Sequence, residues 1–407
     1  MKRNYFSAYS DLPREVYFLF AARLVNAMGS FIMPLLTLIL TQKLGHTKSD
    51  AGGMISFLIL TEAPCLILGG KLADSIGRKR IIVICSLAGA FFYILCGLLP
   101  QNNMMVLFIV LASDIYTITF PSFNAMLADL TKPESRRSAF SLMYFGMNIG
   151  MSISPIIGGL LFKDHLQLLF FLDAATTIGY TAVIARNVPE TFRHKQQDKD
   201  ADSPELPAEK HSLFRVLKHA PVLVIFILLL FFYDFCYSQW NFMLPAQFGD
   251  MFGQDGARLF SMLCSANGFT VILLTPVVTS LSHRFRPLAI VAAGGFLYFT
   301  AYLGFALGSG LASFFFFVEL FTLGEIVTTI QIEAFVTGHS PADCRGRISA
   351  FENFIRGSAN AWGPVVMGHV LTAAGYQTSW LLIASFILAG AVGMTLLSRK
   401  DRRTSPT

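Results

Sequence analysis

The chain has 407 residues, 54% of them hydrophobic and only 14% charged, and its mean hydropathy is +0.57. Soluble domains carry charge on about a quarter of their residues, so a water-soluble globular fold is excluded. The formal net charge of +6 does not point to nucleic acid, because the bases sit in short loops and tails between long apolar runs.

About 20 apolar residues cross a bilayer. That rule gives twelve spans, near 16–41, 49–69, 81–99, 104–127, 139–162, 167–186, 219–243, 257–281, 287–308, 311–335, 349–373 and 379–397. The first run is longer than a secretory h-region and has no cleavage site, so it reads as a span. The runs are continuously apolar instead of alternating, which predicts helices and not barrel strands. Five of the six cysteines, Cys65, Cys85, Cys96, Cys236 and Cys264, lie in apolar runs, and Cys344 lies outside them. None shows metal-ligand spacing, so no metal, cofactor or disulfide framework is expected.

The 31 bases set the orientation. Placing both termini in the cytoplasm leaves only Lys43, Lys48, Lys163 and Arg258 in outer loops, with Arg23 and Arg356 inside spans. The polar, proline-dotted stretch 187–215 reads as a cytoplasmic linker between six-span halves, 1–186 and 216–407. Short motifs recur between the halves at an offset of 208 to 209. Pro133-x-x-x-Arg137 returns as Pro341-x-x-x-Arg345, and Ser154-Pro155-x-x-x-Gly159 as Gly363-Pro364-x-x-x-Gly368. Arg78 falls on Arg286, so a parallel duplication is predicted.

Between the second and third spans lies Gly69–Arg80, GGKLADSIGRKR. It resembles the loop signature of the major facilitator superfamily through Gly70, Leu72, Asp74, Gly77, Arg78 and Lys79, with Ser75 replacing the usual base. The fifth span, with Gly146, Gly150, Ser154, Pro155, Gly158 and Gly159, resembles that superfamily's antiporter signature, and Phe321–Ile326 is similar to segments of bacterial twelve-helix multidrug:proton antiporters. The resemblance implies an all-α integral membrane protein of twelve transmembrane helices in two pseudo-symmetric six-helix bundles. It also implies a monomeric bacterial inner-membrane transporter that rocks its halves around a central site. The fourth span departs from the antiporter pattern, carrying Asp114 and no base.

Glycines in the loop permit a sharp turn, and its bases anchor to anionic headgroups. Asp74 opposes that bias; in the superfamily the matching acid meets the start of the eleventh helix, whose dipole favours a carboxylate. That contact implies a latch formed with Gly70, Gly77 and Arg78. The alternative is a solvated loop acid. In the fifth span, Gly146, Gly150, Ser154 and Gly158 repeat every four residues, on one face where another helix can approach closely. Ordinary tight packing explains that stripe equally well.

The superfamily lines its cavity with the first, fourth, seventh and tenth helices, which here carry Arg23, Asp114, Asp234, Glu319 and Glu325. Ionisable groups at such depth are functional candidates by default. Glu325 is the expected proton carrier, with Asp114 or Asp234 as a second acid or a contact for cationic substrates. A static Arg23–Asp114 ion pair is the alternative for Asp114. Glu62 and Arg356, each about seven residues into its span, are expected to pair across the seam between halves; the alternative is two unrelated residues, each facing its own half. Aromatics including Tyr116, Phe120, Tyr237 and Trp240 offer an adaptable apolar wall.

No phosphate-binding loop, nucleophile elbow or dinucleotide fingerprint is present, which argues against ATP-driven pumping and enzyme chemistry. The sequence therefore predicts secondary transport: export of hydrophobic or cationic small molecules in exchange for protons. Export of sugars, peptides or another metabolite is the runner-up, and a transport-dead sensor is a third reading.

Overall fold

The structure, a computed structural model, describes residues 12–192, 220–282, 285–339 and 345–404. Most of the expected linker and the repeat beginning at Pro341 lie outside these residues. Apolar sequence in lipid must satisfy its own backbone hydrogen bonds, and helices do so segment by segment. The helices in chain order are α1 (Arg14–Met28), α2 (Ile32–Leu38), α3 (Lys48–Ala73), α4 (Arg78–Leu98), α5 (Asn103–Thr117), α6 (Thr119–Asp129) and α7 (Pro133–Leu161). They continue with α8 (Leu166–Asn187), α9 (Pro221–Tyr237), α10 (Met243–Phe252), α11 (Gly256–Ser282), α12 (Pro287–Leu307), α13 (Leu311–His339) and α14 (Arg345–Thr404). Proline opens α7, α9 and α12, where its missing N–H costs nothing. The Asn102 side chain caps α5 by accepting from the Met104 N–H at 3.0 Å.

Among the described residues ten stretches are long and apolar enough to cross a bilayer, and two are of double length. Pro221–Ser282 has 62 residues and Ile348–Asp401 has 54. At 1.5 Å per residue even the shorter would run about 80 Å, so each holds two crossings of a core about 30 Å thick. They divide at the 3₁₀ turn Gly253–Asp255 and at Gly375, whose φ of 73° breaks α14. Twelve crossings result. The seventh runs further than its apolar stretch predicts, because α10 buries Met243, Leu244, Ala246 and Phe248 in a segment that reads as loop by composition.

Packing divides the chain into two compact units. Unit 1 holds residues 1–46, 57–198 and 248–269; unit 2 holds 47–56, 199–247 and 270–407. The simple boundaries expected from the linker are therefore crossed by α3 and α11, each of which contributes to both units. In unit 1, α1 packs on α7 and α8, while α4 packs on α5 and α8. One end of this unit is a core of Val16, Leu19, Ile82, Phe123, Met126 and Tyr180 with their neighbours. In unit 2, α12 packs on α13 and α14, and α9 on α14. Trp380 is fully buried there, stacked 5.7 Å from Tyr302 and donating to the Gln247 side chain at 2.6 Å. Ile67, Leu273 and Phe354 remain exposed.

Candidate functional site

The first crossing is not one helix. It stops at Met28 and restarts at Ile32, so backbone groups at Gly29–Phe31 lose their helical partners inside the span. Gly29 is needed here, since a Cβ would overlap the Thr176 side chain on α8. Two side chains repair the break. Ser154 Oγ on α7 donates to the Ser30 carbonyl at 2.8 Å. Asp173 on α8, 6% exposed, accepts from the backbone N–H groups of Phe31 and Ile32. Non-helical backbone at this depth is tolerated only where protein buries it or a cavity borders it, and both conditions hold.

That cavity lies wholly in unit 1 and has a volume of about 340 Å³. Arg23, Asn26, Glu62, Tyr116, Phe120, Met147, Ser154 and Asp173 are among its walls. Arg23 donates to Tyr116 Oη at 3.4 Å and to Met147 Sδ at 3.7 Å. Its guanidinium lies over the rings of Phe120 at 5.1 Å and Phe123 at 5.5 Å. Tyr116 in turn donates to Asn26, whose amide donates to Thr177 at 3.3 Å. The expected alternative of an Arg23–Asp114 ion pair is not what forms: the aromatic faces and Tyr116 occupy the guanidinium instead. Asp114 has one buried carboxylate oxygen without a hydrogen-bond partner.

Glu62 and Arg356 each have partners in their own unit. Glu62 accepts from Ser113 Oγ at 2.6 Å. Arg356 grips Asp234 through two bonds, Nε to Oδ2 at 2.9 Å and an Nη to Oδ1 at 3.3 Å, and reaches Glu352 at 3.4 Å. Asp234 is thus held in an ion pair and is not a free second acid. Glu352, 5% exposed, joins it as a buried acid.

Glu325 occupies a different part of unit 2. It is half-buried on α13, fourteen residues from Leu311 and so about 21 Å along the helix. Tyr237 Oη donates to it at 2.8 Å. The Tyr237 ring stacks on Phe321 with centroids 5.6 Å apart, and Trp240 stacks on Phe321 at 5.0 Å and 10°. A carboxylate therefore sits at the edge of an aromatic shelf. Glu319 is six residues away on the same helix, about 240° round its axis, so the two acids face different directions.

In the charged loop, Gly77 has a φ of 114°, and a Cβ there would come within 2.8 Å of the Glu190 carboxylate. That carboxylate accepts from the backbone N–H groups of Arg78 at 3.0 Å, Lys79 at 3.1 Å and Arg80 at 3.3 Å, capping α4. Burial pushes the Glu190 carboxyl up, but these N–H groups and that of Phe192 outweigh it and hold it below its ordinary value. Arg78 forms an ion pair with Asp129 and donates to the Ala125 carbonyl at 3.2 Å. A Cβ on Gly70 would meet open space, whereas one on Gly69 would strike the Ile118 backbone. Asp74 is exposed.

The small-residue stripe of α7 faces the first crossing. A Cβ on Gly146 would press on the Phe20 ring at 2.7 Å, one on Gly150 would overlap Ala27, and one on Gly158 would touch Leu35 at 3.1 Å. Gly159 turns the other way, to Ser261 and Arg258 of α11, also in unit 1. Pro155 lies inside the helix beside Ser154. The residues not singled out from sequence are Asp173, Glu352, Asp129 and Glu190. Asp173 had a signal, an acid inside an apolar run, but its helix is not among those the resemblance marks as lining a cavity.

Twelve helical crossings, a broken helix and ionisable groups around an internal cavity define a multi-pass membrane transporter of small molecules. The profile described as Major Facilitator Superfamily matches residues 19–364, and the chain belongs to that family. It is 23% identical to a Na(+), Li(+), K(+)/H(+) antiporter of Planococcus maritimus, over 93% of this chain and 95% of that one. It is 25% identical to multidrug resistance protein MdtH of Klebsiella pneumoniae (strain 342), over 81% of this chain and 79% of the relative. A crystal structure of a bacterial homologue of the human lysosomal transporter Spinster superposes with a TM-score of 0.78 at 17% identity, each chain covered in full.

Proposed function

We propose that the protein exports hydrophobic or cationic small molecules across the bacterial inner membrane in exchange for protons, with Glu325 as the proton carrier. The observation that carries this reading is the Glu325 carboxylate inside a span, bonded to Tyr237 beside the Tyr237–Phe321–Trp240 shelf. A carboxylate at that depth is costly while charged and therefore binds a proton or a cation in part of its cycle. The shelf offers ring faces to a flat or cationic guest. Relatives described as an antiporter and as a multidrug resistance protein support the same direction.

The positive-inside bias supports both termini in the cytoplasm, and the linker composition supports halves 1–186 and 216–407. In that frame the Gly69–Arg80 loop is cytoplasmic. Asp74 is the proposed latch acid, and the Arg78–Asp129 pair braces the loop. The test is proton flux in everted vesicles across a panel of lipophilic cations, sugars and peptides. Cation-induced proton movement that vanishes in Glu325→Gln is the expected result. Uphill export with unchanged pH dependence in that variant refutes the assignment, and proton movement with sugars or peptides alone favours the metabolite exporter.

A further inference from the structure

The unit 1 cavity presents a base, Arg23, and an acid, Glu62, that do not neutralise each other. Arg23 stands nine residues into α1, about 14 Å along it. Its guanidinium has five N–H donors, yet its partners are a phenol, a thioether and two ring faces, and among the described residues it forms no ion pair. Glu62 accepts a single hydroxyl bond, from Ser113, and the like charge close enough to act on it is Asp114. Asp114 itself stands outside the lining, where its side chain bonds Thr61. The other acid lining the cavity, Asp173, is already engaged with the Phe31 and Ile32 N–H groups.

Buried ions without counter-ions are expensive in protein interiors and in membranes alike. A guest that brings both charges satisfies both ends at once. We propose that this cavity is a two-ended site for a zwitterion: a small molecule with an apolar body whose carboxylate meets Arg23 and whose ammonium meets Glu62. A volume of about 340 Å³ is at the small end of ligand pockets, near 300 Å³. The methionine and Phe120 side chains around it suit one aromatic ring or a branched alkyl chain. An aromatic amino acid has that size and charge pattern. The inference goes beyond proton-coupled export through Glu325 and does not require it, because it concerns equilibrium binding to unit 1.

Isothermal titration calorimetry on the purified full-length chain in detergent at neutral pH tests it, with L-phenylalanine, 3-phenylpropionate and 2-phenylethylamine as probes. Phenylalanine is expected to bind at least about tenfold more tightly than either single-ended probe. In Arg23→Gln its affinity falls to that of 2-phenylethylamine, whose own affinity is unchanged; in Glu62→Gln it falls to that of 3-phenylpropionate. Arg23→Lys, which keeps the charge, retains the preference and controls for loss of fold. Phenylalanine binding no tighter than a single-ended probe overturns the proposal, as does a preference that survives Arg23→Gln or the absence of any binding up to about 10 mM. Vesicle proton flux through Glu325 is a separate readout, so either idea can fail alone.

Discussion

Ser154 on α7 donates a hydrogen bond from its hydroxyl to the carbonyl of Ser30, 2.8 Å away, where the first crossing leaves the helical path. On the other side of the same break, Asp173 takes the N–H groups of Phe31 and Ile32. One neighbouring helix thus supplies the donor and another the acceptor. Ser154 is 1% exposed, so replacing it with alanine leaves a buried carbonyl unsatisfied. The expected loss is about 1–2 kcal/mol of stability, read as a lower unfolding midpoint in detergent. An unchanged midpoint in Ser154→Ala means that the bond contributes nothing.

Two adjacent glycines separate steric need from motif membership. Gly69→Ala drives a methyl group into the Ile118 backbone, while the same change at Gly70 meets nothing within 4 Å. Rigid backbone cannot yield as a side chain tip does, so Gly69→Ala is expected to cost at least about 1 kcal/mol and Gly70→Ala less than about 0.5 kcal/mol. Thermal stability of the two purified variants gives the comparison. Equal losses would show that α3 and α5 shift apart freely.

The crossings were legible because hydrophobicity over about 20 residues is dictated by the bilayer itself. The stripe Gly146, Gly150, Ser154 and Gly158 was legible too, as helical spacing alone places those residues on one face, and that face meets the first crossing. Pairing was not. Spacing along one helix says nothing about which acid on another helix a base will meet, so Arg356 was assigned to Glu62 and is found with Asp234 and Glu352. The break at Gly29–Phe31 was hidden because Gly and Ser also occur within intact membrane helices. α10 was hidden because its polar residues lowered the average of a segment whose buried face is apolar.

The Asp234–Arg356–Glu352 cluster carries two acids and one base, with Asp234 8% and Glu352 5% exposed. Removing the base strands both carboxylates. Arg356→Gln is expected to destabilise by about 3 kcal/mol, the lower end for a broken buried pair because the Arg356 side chain is 29% exposed. Adding Asp234→Asn removes one stranded charge and restores part of the loss. A double-mutant cycle in detergent measures the coupling, and purely additive losses would show that the two residues do not act as a pair.

Glu190 gives the loop a pH dependence whose sign is fixed by its partners. Its ionised carboxylate holds the N–H groups of Arg78, Lys79 and Arg80, and these keep its folded pKa below the unfolded value of about 4.3. The stabilisation is therefore complete above the unfolded value and is lost as pH falls through the lowered, folded one. Near neutral pH, Glu190→Gln removes the charge permanently and mimics acid. Because Glu190 is exposed, the effect is local, on the scale of a helix cap at about 1 kcal/mol. Amide hydrogen exchange at Arg78–Arg80 is the direct measurement, corrected for the intrinsic pH dependence of exchange. Protection in the wild type should weaken from neutral pH toward pH 3, while protection in Glu190→Gln should be low at neutral pH and change little on acidification. Equal protection in both proteins at neutral pH would mean that α4 holds its first turn without the cap.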